Sequence, residues 1–329
     1  MHCELIVPGL FAEASGTRAP ALELLLARGR SAIHAGSDSL QVEAWLQAAF
    51  AVEGQSLPAG ALSLAGVGRE PGVDCWARAD PVHLRVLRDR LIVVPPEAFA
   101  LSRPQADALV ETLNRHFGER LMLEALEAGR WCARLDPQLA FHAAPPLEAA
   151  GRDVDLAMRG LGEAGKRWAA LLNEAQMLLH EHPVNAEREA RGEPALNSIW
   201  LWGGGVIDAA KARPFSAVIA ADPLARGLAL AAGIPAHALP KDADSVLAAL
   251  GDEGRVLVVL DAPREAQLGE RRTALERDWF LPLFAALKSG RIGMLTLHLG
   301  GAESLLEVET VRSDLRYFWR LRKPLSAYA

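Results

Sequence analysis

Short, continuous apolar segments in the second half of the chain constrain its fold more than any other feature. Four of them are evident: Ser198 to Trp202, Ala217 to Ala220, Val256 to Leu260 and Ile292 to Leu297. Segments with helical spacing of apolar residues follow the second and third of them, at about Pro223 to Ala232, Asp242 to Leu250 and Gly269 to Ser289. Strands buried on both faces have this composition, and their alternation with helices is typical of a parallel sheet. The sequence therefore predicts an α/β fold with a mostly parallel sheet covered by helices on both faces.

The first half of the chain adds a strand at Glu4 to Val7, a second at Leu91 to Val94 and a helix that begins after Ser102 as its N-cap. A long helical pattern runs from about Val154 to His182. We expect residues 1–95 and 195–329 to form the α/β core. Residues 96–194 are then a smaller inserted α+β region.

Composition excludes several classes of function. The 329-residue chain has a net charge of −6, which argues against a protein that coats nucleic acid or an anionic membrane. Its three cysteines form no metal-binding spacing and indicate a reducing compartment. The amino-terminal segment does not have the pattern of a signal peptide, and no apolar run approaches the ~20 residues that span a bilayer. We expect a cytoplasmic protein with no membrane partner and without nucleic acid as a partner.

Ligands of open parallel sheets bind beyond the carboxyl ends of the strands. That rule selects Gly203 to Gly205, Asp222, Asp261 and His298. The glycines would let a ligand approach the backbone, or they would simply allow close packing at a strand end. They match neither GxGxxG nor a P-loop, so a nucleotide phosphate loop is not predicted.

A polar stretch precedes these glycines and contains His182, Asn185, Arg188 and Asn197. Arginine binds carboxylate or phosphate through paired hydrogen bonds, and asparagine also donates. The stretch is therefore a candidate anion site, and the alternative is a polar loop whose arginines are solvated. Ser37, in a tight turn before a helical segment, is a candidate nucleophile or else part of a helix N-cap.

Together these motifs resemble the archaeal-type cofactor-independent phosphoglycerate mutases of the alkaline phosphatase superfamily. The run His182-Pro183-Val184-Asn185, then Arg188, Asn197 and the three glycines, carries the resemblance, and Gly36-Ser37-Asp38 resembles the turn that bears the phosphorylated serine. The resemblance implies an alkaline-phosphatase-like core and substrate-binding roles for His182, Asn185, Arg188, Asn197, Gly203 and Gly204. The chain also resembles the divergent bacterial RpfE-type regulatory proteins.

Those mutases use two divalent ions, usually manganese, held by several aspartates and histidines. Where the family has an aspartate after the first strand, this chain has Val7-Pro8-Gly9, and no histidine follows Asp261 closely. Of the residues that the resemblance implies, Ser37, Asp38, Asp261 and His298 remain, and Asp261 and His298 are the remnants of an incomplete metal site. We therefore expect no cofactor and a binding or regulatory protein for a small phosphorylated or carboxylate metabolite. The alternative is an active mutase or phosphotransferase that uses Ser37 with manganese or magnesium.

A last feature is the segment from Arg312 to Lys323, in which basic residues alternate with Tyr317, Phe318 and Trp319. This composition is typical of a surface that stacks on and contacts single-stranded nucleic acid. Because the whole chain is acidic, we expect instead that the aromatic residues pack on the core.

Overall fold

The computed structural model describes residues 1–11, 18–35, 42–54, 56–87, 90–136, 143–151, 153–154, 162–208, 212–249, 254–263, 268–300 and 304–328. The chain forms two compact units. The core unit comprises Met1–Val52 and Ala210–Ala329, and the insert unit comprises Glu53–Ala209. The predicted insert, 96–194, is narrower than this unit at both ends.

The strands are β1 His2–Val7, β2 Arg30–Ala35, β3 Trp76–Leu87, β4 Arg90–Val94, β5 Leu121–Glu127, β6 Arg130–Leu135, β7 Ser198–Gly205, β8 Ala217–Ala220, β9 Ala236–Ala238, β10 Arg255–Val259, β11 Met294–Gly300 and β12 Ser304–Val311. The helices are α1 Pro20–Arg28, α2 Val42–Ala49, α3 Ala59–Gly66, α4 Arg103–Phe117, α5 Pro146–Ala149, α6 Gly162–His180, α7 Pro183–Ala190, α8 Pro223–Ala231, α9 Ala243–Ala249, α10 Leu268–Leu275 and α11 Leu281–Ser289. No helix in these described parts of the chain is both long and apolar enough to cross a membrane.

The core unit is built on a seven-stranded sheet in the order β2-β12-β11-β1-β10-β8-β9. The five strands β11, β1, β10, β8 and β9 run parallel to one another, whereas β12 is antiparallel to both of its neighbours, β11 and β2. One face of this sheet packs with α1, α9 and α11 into a continuous apolar core. The predicted α/β fold with a mostly parallel sheet is therefore confirmed.

The second sheet, in the insert unit, has the order β4-β3-β6-β5, and β7 also pairs with β3. Every pairing in it is antiparallel. Two apolar segments that we assigned to the parallel core, Ser198 to Trp202 and Leu91 to Val94, are β7 and β4 of this second sheet, so that assignment is wrong. Both segments are apolar because these two strands are largely buried in the second sheet. An apolar pattern indicates burial but does not identify the strand with which a segment pairs.

Two helices show how local sequence sets helix boundaries. Ser102 caps α4 as predicted, with a reciprocal capping box between Ser102 and Gln105. The helix expected at Gly269 to Ser289 is instead α10, a π-helical turn at Glu276–Phe280, and α11. Pro282 lies in the first turn of α11 and has no N–H to donate, so the regular hydrogen-bond ladder is interrupted there.

The three cysteines are buried thiols. Cys3 lies on β1 in the core unit, and Cys75 and Cys132 lie in the insert unit. The Cys132 thiol donates to the Gly60 carbonyl oxygen at 3.5 Å. Burial raises the pKa of Cys3 to about 12 and also raises that of Cys75.

Candidate functional site at the ends of the parallel strands

The carboxyl ends of β1, β10 and β11 lie side by side in the core unit. Ile6 of β1 is opposite Val259 on one side and His298 on the other. Because the three strands are parallel, the residues that follow them come together at one edge of the sheet. The edge is formed by Pro8 and Gly9 after β1, Asp261 after β10, and Gly300 at the end of β11.

An arginine occupies this edge. The Nη1 atom of Arg271 donates to the Pro8 carbonyl oxygen at 2.9 Å, and its Nη2 atom donates to the Asp261 carbonyl oxygen at 2.5 Å. Burial lowers the pKa of Arg271 to about 10, and the nearby Asp261 carboxylate partly opposes that shift. The guanidinium therefore keeps its positive charge at neutral pH.

The turn after β1 is tightly packed. Gly9 has a φ of +62°, and a side chain there would lie 3.0 Å from the ring of Pro263. On its other side, the Phe11 N–H donates to the Gly300 carbonyl oxygen at 3.3 Å. Glycine is thus needed at position 9 both for its backbone conformation and for the close approach of the Pro263 ring.

A buried charged network lies next to this edge, on the face of the sheet opposite the apolar core. Glu4 of β1 is 1% exposed and accepts hydrogen bonds from Arg255 of β10 and, at 3.4 Å, from Nε2 of His298. His2 lies 3.5 Å from the same carboxylate and hydrogen-bonds to Thr296 at 2.9 Å. Burial by itself would raise the pKa of Glu4, because it favours the neutral carboxyl. The hydrogen bonds from His298 and Arg255 together have the larger effect, so the pKa of Glu4 is held below its ordinary value.

His298 lines a small cavity together with Ile6, Pro8, Val42, Trp45, Gly300 and Leu305. Its ring contacts the ring of Trp45 of α2 in a tilted arrangement, with an interplanar angle of 57° and the ring centroids 4.7 Å apart. The residue is 3% exposed, and its Nδ1 atom has no hydrogen-bond partner among the described residues; a carboxylate oxygen of Glu307 lies 3.6 Å away. The cavity has room for about one water molecule.

The metal-binding prediction for Asp261 and His298 gains no support from these contacts. Among the residues that the structure describes, no three His, Cys, Asp or Glu side chains are grouped so that they could hold a metal ion. Beside the Asp261 carboxylate at the strand ends lies the guanidinium of Arg271, which repels a divalent cation. The described residues of this edge therefore do not by themselves make up a two-metal centre. Ser37 and Asp38 lie outside the described residues.

The polar stretch before the glycines has internal contacts. The Asn185 amide donates to the carbonyl oxygens of Leu179 and Leu196 at 2.7 and 2.9 Å and accepts from the Leu196 N–H at 2.8 Å. Asn197 pairs with both backbone groups of Leu84, at 2.7 and 2.9 Å. Both asparagine side chains therefore bind backbone groups of the insert unit.

Arg188 and His182 are also engaged within the insert unit. The Arg188 guanidinium donates to the carbonyl oxygens of Pro194 and Ala100 at 2.9 and 2.8 Å, and the residue is 1% exposed. His182 caps α7 through Nδ1, and its Nε2 atom lies 3.0 Å from the Thr112 hydroxyl. The alternative of a polar loop with solvated arginines is wrong for Arg188. Its substrate-binding role and those of His182, Asn185 and Asn197 stay predictions, and their hydrogen-bonding groups face the protein.

Gly203 and Gly204 end an antiparallel strand of the insert unit, so the rule about parallel strand ends does not apply to them. A side chain at Gly203 would lie 2.5 Å from Cβ of Ala59 on α3, and its φ is +58°. Close packing of α3 therefore accounts for Gly203, the second of the two explanations that we considered. The ligand-binding role of Gly203 and Gly204 stays a prediction.

Sequence reasoning missed Glu4, Arg255 and Arg271. Arg271 lies within a helix, and a helical pattern gives no sign that its side chain reaches two strand ends. A signal did exist for Glu4: a charged residue inside an apolar strand is rarely buried without a partner.

The fold and the site define the class, an α/β protein with charged side chains at the ends of its parallel strands. No protein-family model matches the chain. It is 28% identical over 183 residues to a probable 2,3-bisphosphoglycerate-independent phosphoglycerate mutase of Geobacter sulfurreducens, covering 53% of this chain and 45% of that protein. It is 31% identical over 144 residues to the 2,3-bisphosphoglycerate-independent phosphoglycerate mutase of Methanosarcina barkeri, covering 41% and 35%.

The chain thus spans less than half the length of these curated relatives. A solved structure of a protein from Pyrococcus horikoshii matches with a TM-score of 0.54 and 15% identity, covering 94% of this chain and 87% of that one, and supports the fold alone. The protein is a divergent one, similar to the cofactor-independent phosphoglycerate mutases, as the sequence motifs indicated. The resemblance to RpfE-type regulatory proteins stays a prediction.

Proposed function

We propose that the protein binds a small phosphorylated or carboxylate metabolite and acts in regulation, without the two-metal catalysis of the mutases that it resembles. One observation carries this proposal. At the ends of β1 and β10, the group available to meet an anion is the Arg271 guanidinium, which is bound to the Pro8 and Asp261 carbonyl oxygens.

The chemistry of arginine supports this assignment. A guanidinium has five N–H donors in a fixed plane, and two of those of Arg271 are used by the carbonyls. The remaining donors suit the oxygens of a phosphate or carboxylate. A second guanidinium, that of Arg272, reaches the Leu10 carbonyl oxygen at 3.5 Å. Two guanidinium groups therefore accompany the Asp261 carboxylate among the described residues of this edge.

The test is a thermal-shift and calorimetric titration of the purified, metal-analysed protein with 2-phosphoglycerate, 3-phosphoglycerate and inorganic phosphate. We expect one of the three to raise the Tm of the wild type and to lose most of its effect in Arg271→Gln. Arg277→Gln is the matched control, because Arg277 follows on the next turn but is exposed and pairs with Asp278. Absence of binding by all three ligands would contradict the proposal.

A second candidate is the active enzyme that uses Ser37. His298 favours it, because Glu4 orients the ring through Nε2, while Nδ1 makes no hydrogen bond to any residue that the structure describes and the ring lines a cavity. A carboxylate-oriented histidine is the usual arrangement of a general base. A mutase assay with added manganese distinguishes the two candidates. Turnover that Ser37→Ala abolishes would establish the enzyme and overturn regulation by binding alone.

A further inference from the structure

The segment from Arg316 to Lys323, called here the basic–aromatic segment, exposes large apolar side chains. Phe318 is 76% exposed, Trp319 62% and Leu321 80%. Our expectation that the aromatic residues pack on the core is therefore wrong for Phe318 and Trp319. Burying such a ring contributes about 1.5–3 kcal/mol, so its exposure leaves that stabilisation unused.

The segment is fixed to the core unit on both sides. Before it, the buried Asp314 accepts a hydrogen bond from the Val311 N–H at 3.0 Å. After it, Leu325 is 4% exposed and belongs to the apolar core. Within it, Arg320 donates to the Arg28 and Gly29 carbonyl oxygens at 3.1 and 3.4 Å. The fold thus holds the two rings in solvent between anchored ends.

The charge of the segment is opposite to that of the whole chain. Its eight residues include Arg316, Arg320, Arg322 and Lys323 and no acidic residue, whereas the chain carries a net charge of −6. All four cationic side chains belong to exposed residues. A polyanion is the partner that such a local concentration of positive charge attracts.

The arrangement of rings and cations distinguishes between polyanions. The Trp319 ring lies 5.2 Å from the rings of both Tyr317 and Phe318, and the Arg320 guanidinium lies 4.9 Å from the Tyr317 ring. Cations and rings are therefore interleaved. A membrane-surface anchor separates them onto opposite faces of a helix, and this segment has no α-helix.

We propose that the basic–aromatic segment binds single-stranded nucleic acid, with bases stacking on Phe318 and Trp319 and phosphates contacting Arg322 and Lys323. Stacking on exposed rings tolerates any base, because every base has a π-face. The contacts to phosphate are set by charge and carry no sequence information. The interaction is thus expected to be independent of sequence and sensitive to salt.

Fluorescence anisotropy of a labelled 20-nucleotide oligo(dT) with the full chain tests the proposal. We expect binding at low salt and an affinity that falls as the salt concentration rises. A plot of log affinity against log salt concentration should have a slope no steeper than about −3, because each of the four cations contributes ~0.7 on a single strand. Phe318→Ala combined with Trp319→Ala should weaken binding about tenfold or more. Met177→Ala, at another exposed apolar residue, should not.

Arg322→Ala combined with Lys323→Ala should reduce the salt slope. Arg167→Ala combined with Lys288→Ala removes the same charge from exposed helical residues elsewhere and is the control. Circular dichroism and Tm establish that each variant is folded. Absence of an anisotropy change at low salt, or equal binding by the ring variant, overturns the proposal. Co-sedimentation with phosphatidylserine vesicles in the absence of oligo(dT) binding overturns it in favour of a membrane surface.

Discussion

Asn185 holds three backbone groups of the insert unit in place, and its removal provides a test at the scale of one residue. In Asn185→Ala the Leu196 carbonyl and N–H lose the partner that the side chain provides, and the Leu179 carbonyl keeps only the His182 N–H at 3.2 Å. An unsatisfied buried group costs about 1–3 kcal/mol, so we expect the free energy of unfolding to fall by about 3 kcal/mol. Urea denaturation measures it. Asn173→Ala, on an exposed turn of α6, should change it by less than about 0.5 kcal/mol.

Glu97 provides a second residue-scale test, through pH. Burial raises its pKa above the ordinary 4.5, with Asp80 adding to the shift and Arg130 opposing it, and within the described part of the chain its Oε2 atom makes no hydrogen bond. The folded state therefore binds the proton more tightly than the unfolded state. The contribution of this carboxyl to stability is therefore fully present below pH 4.5 and is lost as pH rises through the raised pKa.

Glu97→Gln replaces the carboxyl with a neutral amide. We expect it to raise the free energy of unfolding at pH 7, because no charged carboxylate then has to be buried, and to remove the loss of stability that the ionisation of Glu97 causes above pH 4.5. Thermal unfolding between pH 4 and 8 measures both effects. Glu163→Gln, at an exposed residue, serves as control. A stability profile of Glu97→Gln that parallels the wild type would show that burial does not govern this carboxyl.

At the scale of the element, α3 packs unusually close to β3. A side chain at Gly60 would lie 2.5 Å from the Ala77 nitrogen, a distance that neither backbone can accept. We expect Gly60→Ala to destabilise the protein by about 3 kcal/mol, since overpacking outweighs the better helix propensity of alanine. Denaturant unfolding measures the loss. Gly129→Ala, where the nearest atom is 3.5 Å away, should be close to neutral.

Elements also show how far the sequence predicts the fold. The apolar segments that became β1, β8, β10 and β11 were identified because a parallel strand buried on both faces has no polar alternation. The same argument misplaced β7, since Ile199 to Trp202 is equally apolar but pairs with β3. Strand partners depend on contacts between residues distant in sequence, and a local pattern does not contain them.

The site was predicted less well, for a related physical reason. His298 was identified because the ends of parallel strands meet, and it does lie at that edge. Arg271 was missed because a helix brings its side chain to the strand ends from outside the sheet. The motif residues Asn185 and Asn197 were recognised, but polar residue types alone do not indicate whether their partner is a ligand or the backbone.

At the scale of the whole molecule, the two units have separate sheets and therefore separate hydrogen-bond ladders. We expect Gly60→Ala to accelerate amide hydrogen exchange in β3 and β7 of the insert unit while β1, β10 and β11 retain their protection, because local stability follows cooperative units. Hydrogen exchange read by mass spectrometry on peptides from both units measures this. Equal acceleration in both would show that the chain unfolds as one cooperative unit.

The buried cysteines have a practical consequence. With its pKa near 12, the Cys3 thiol contains almost no thiolate at neutral pH, and the thiolate is the species that alkylating reagents attack. Reaction must therefore wait until β1 separates from its neighbours, while Cys75 and Cys132 await opening of the insert unit. The alkylation rates of the three cysteines should therefore report how often the core unit and the insert unit each open under native conditions.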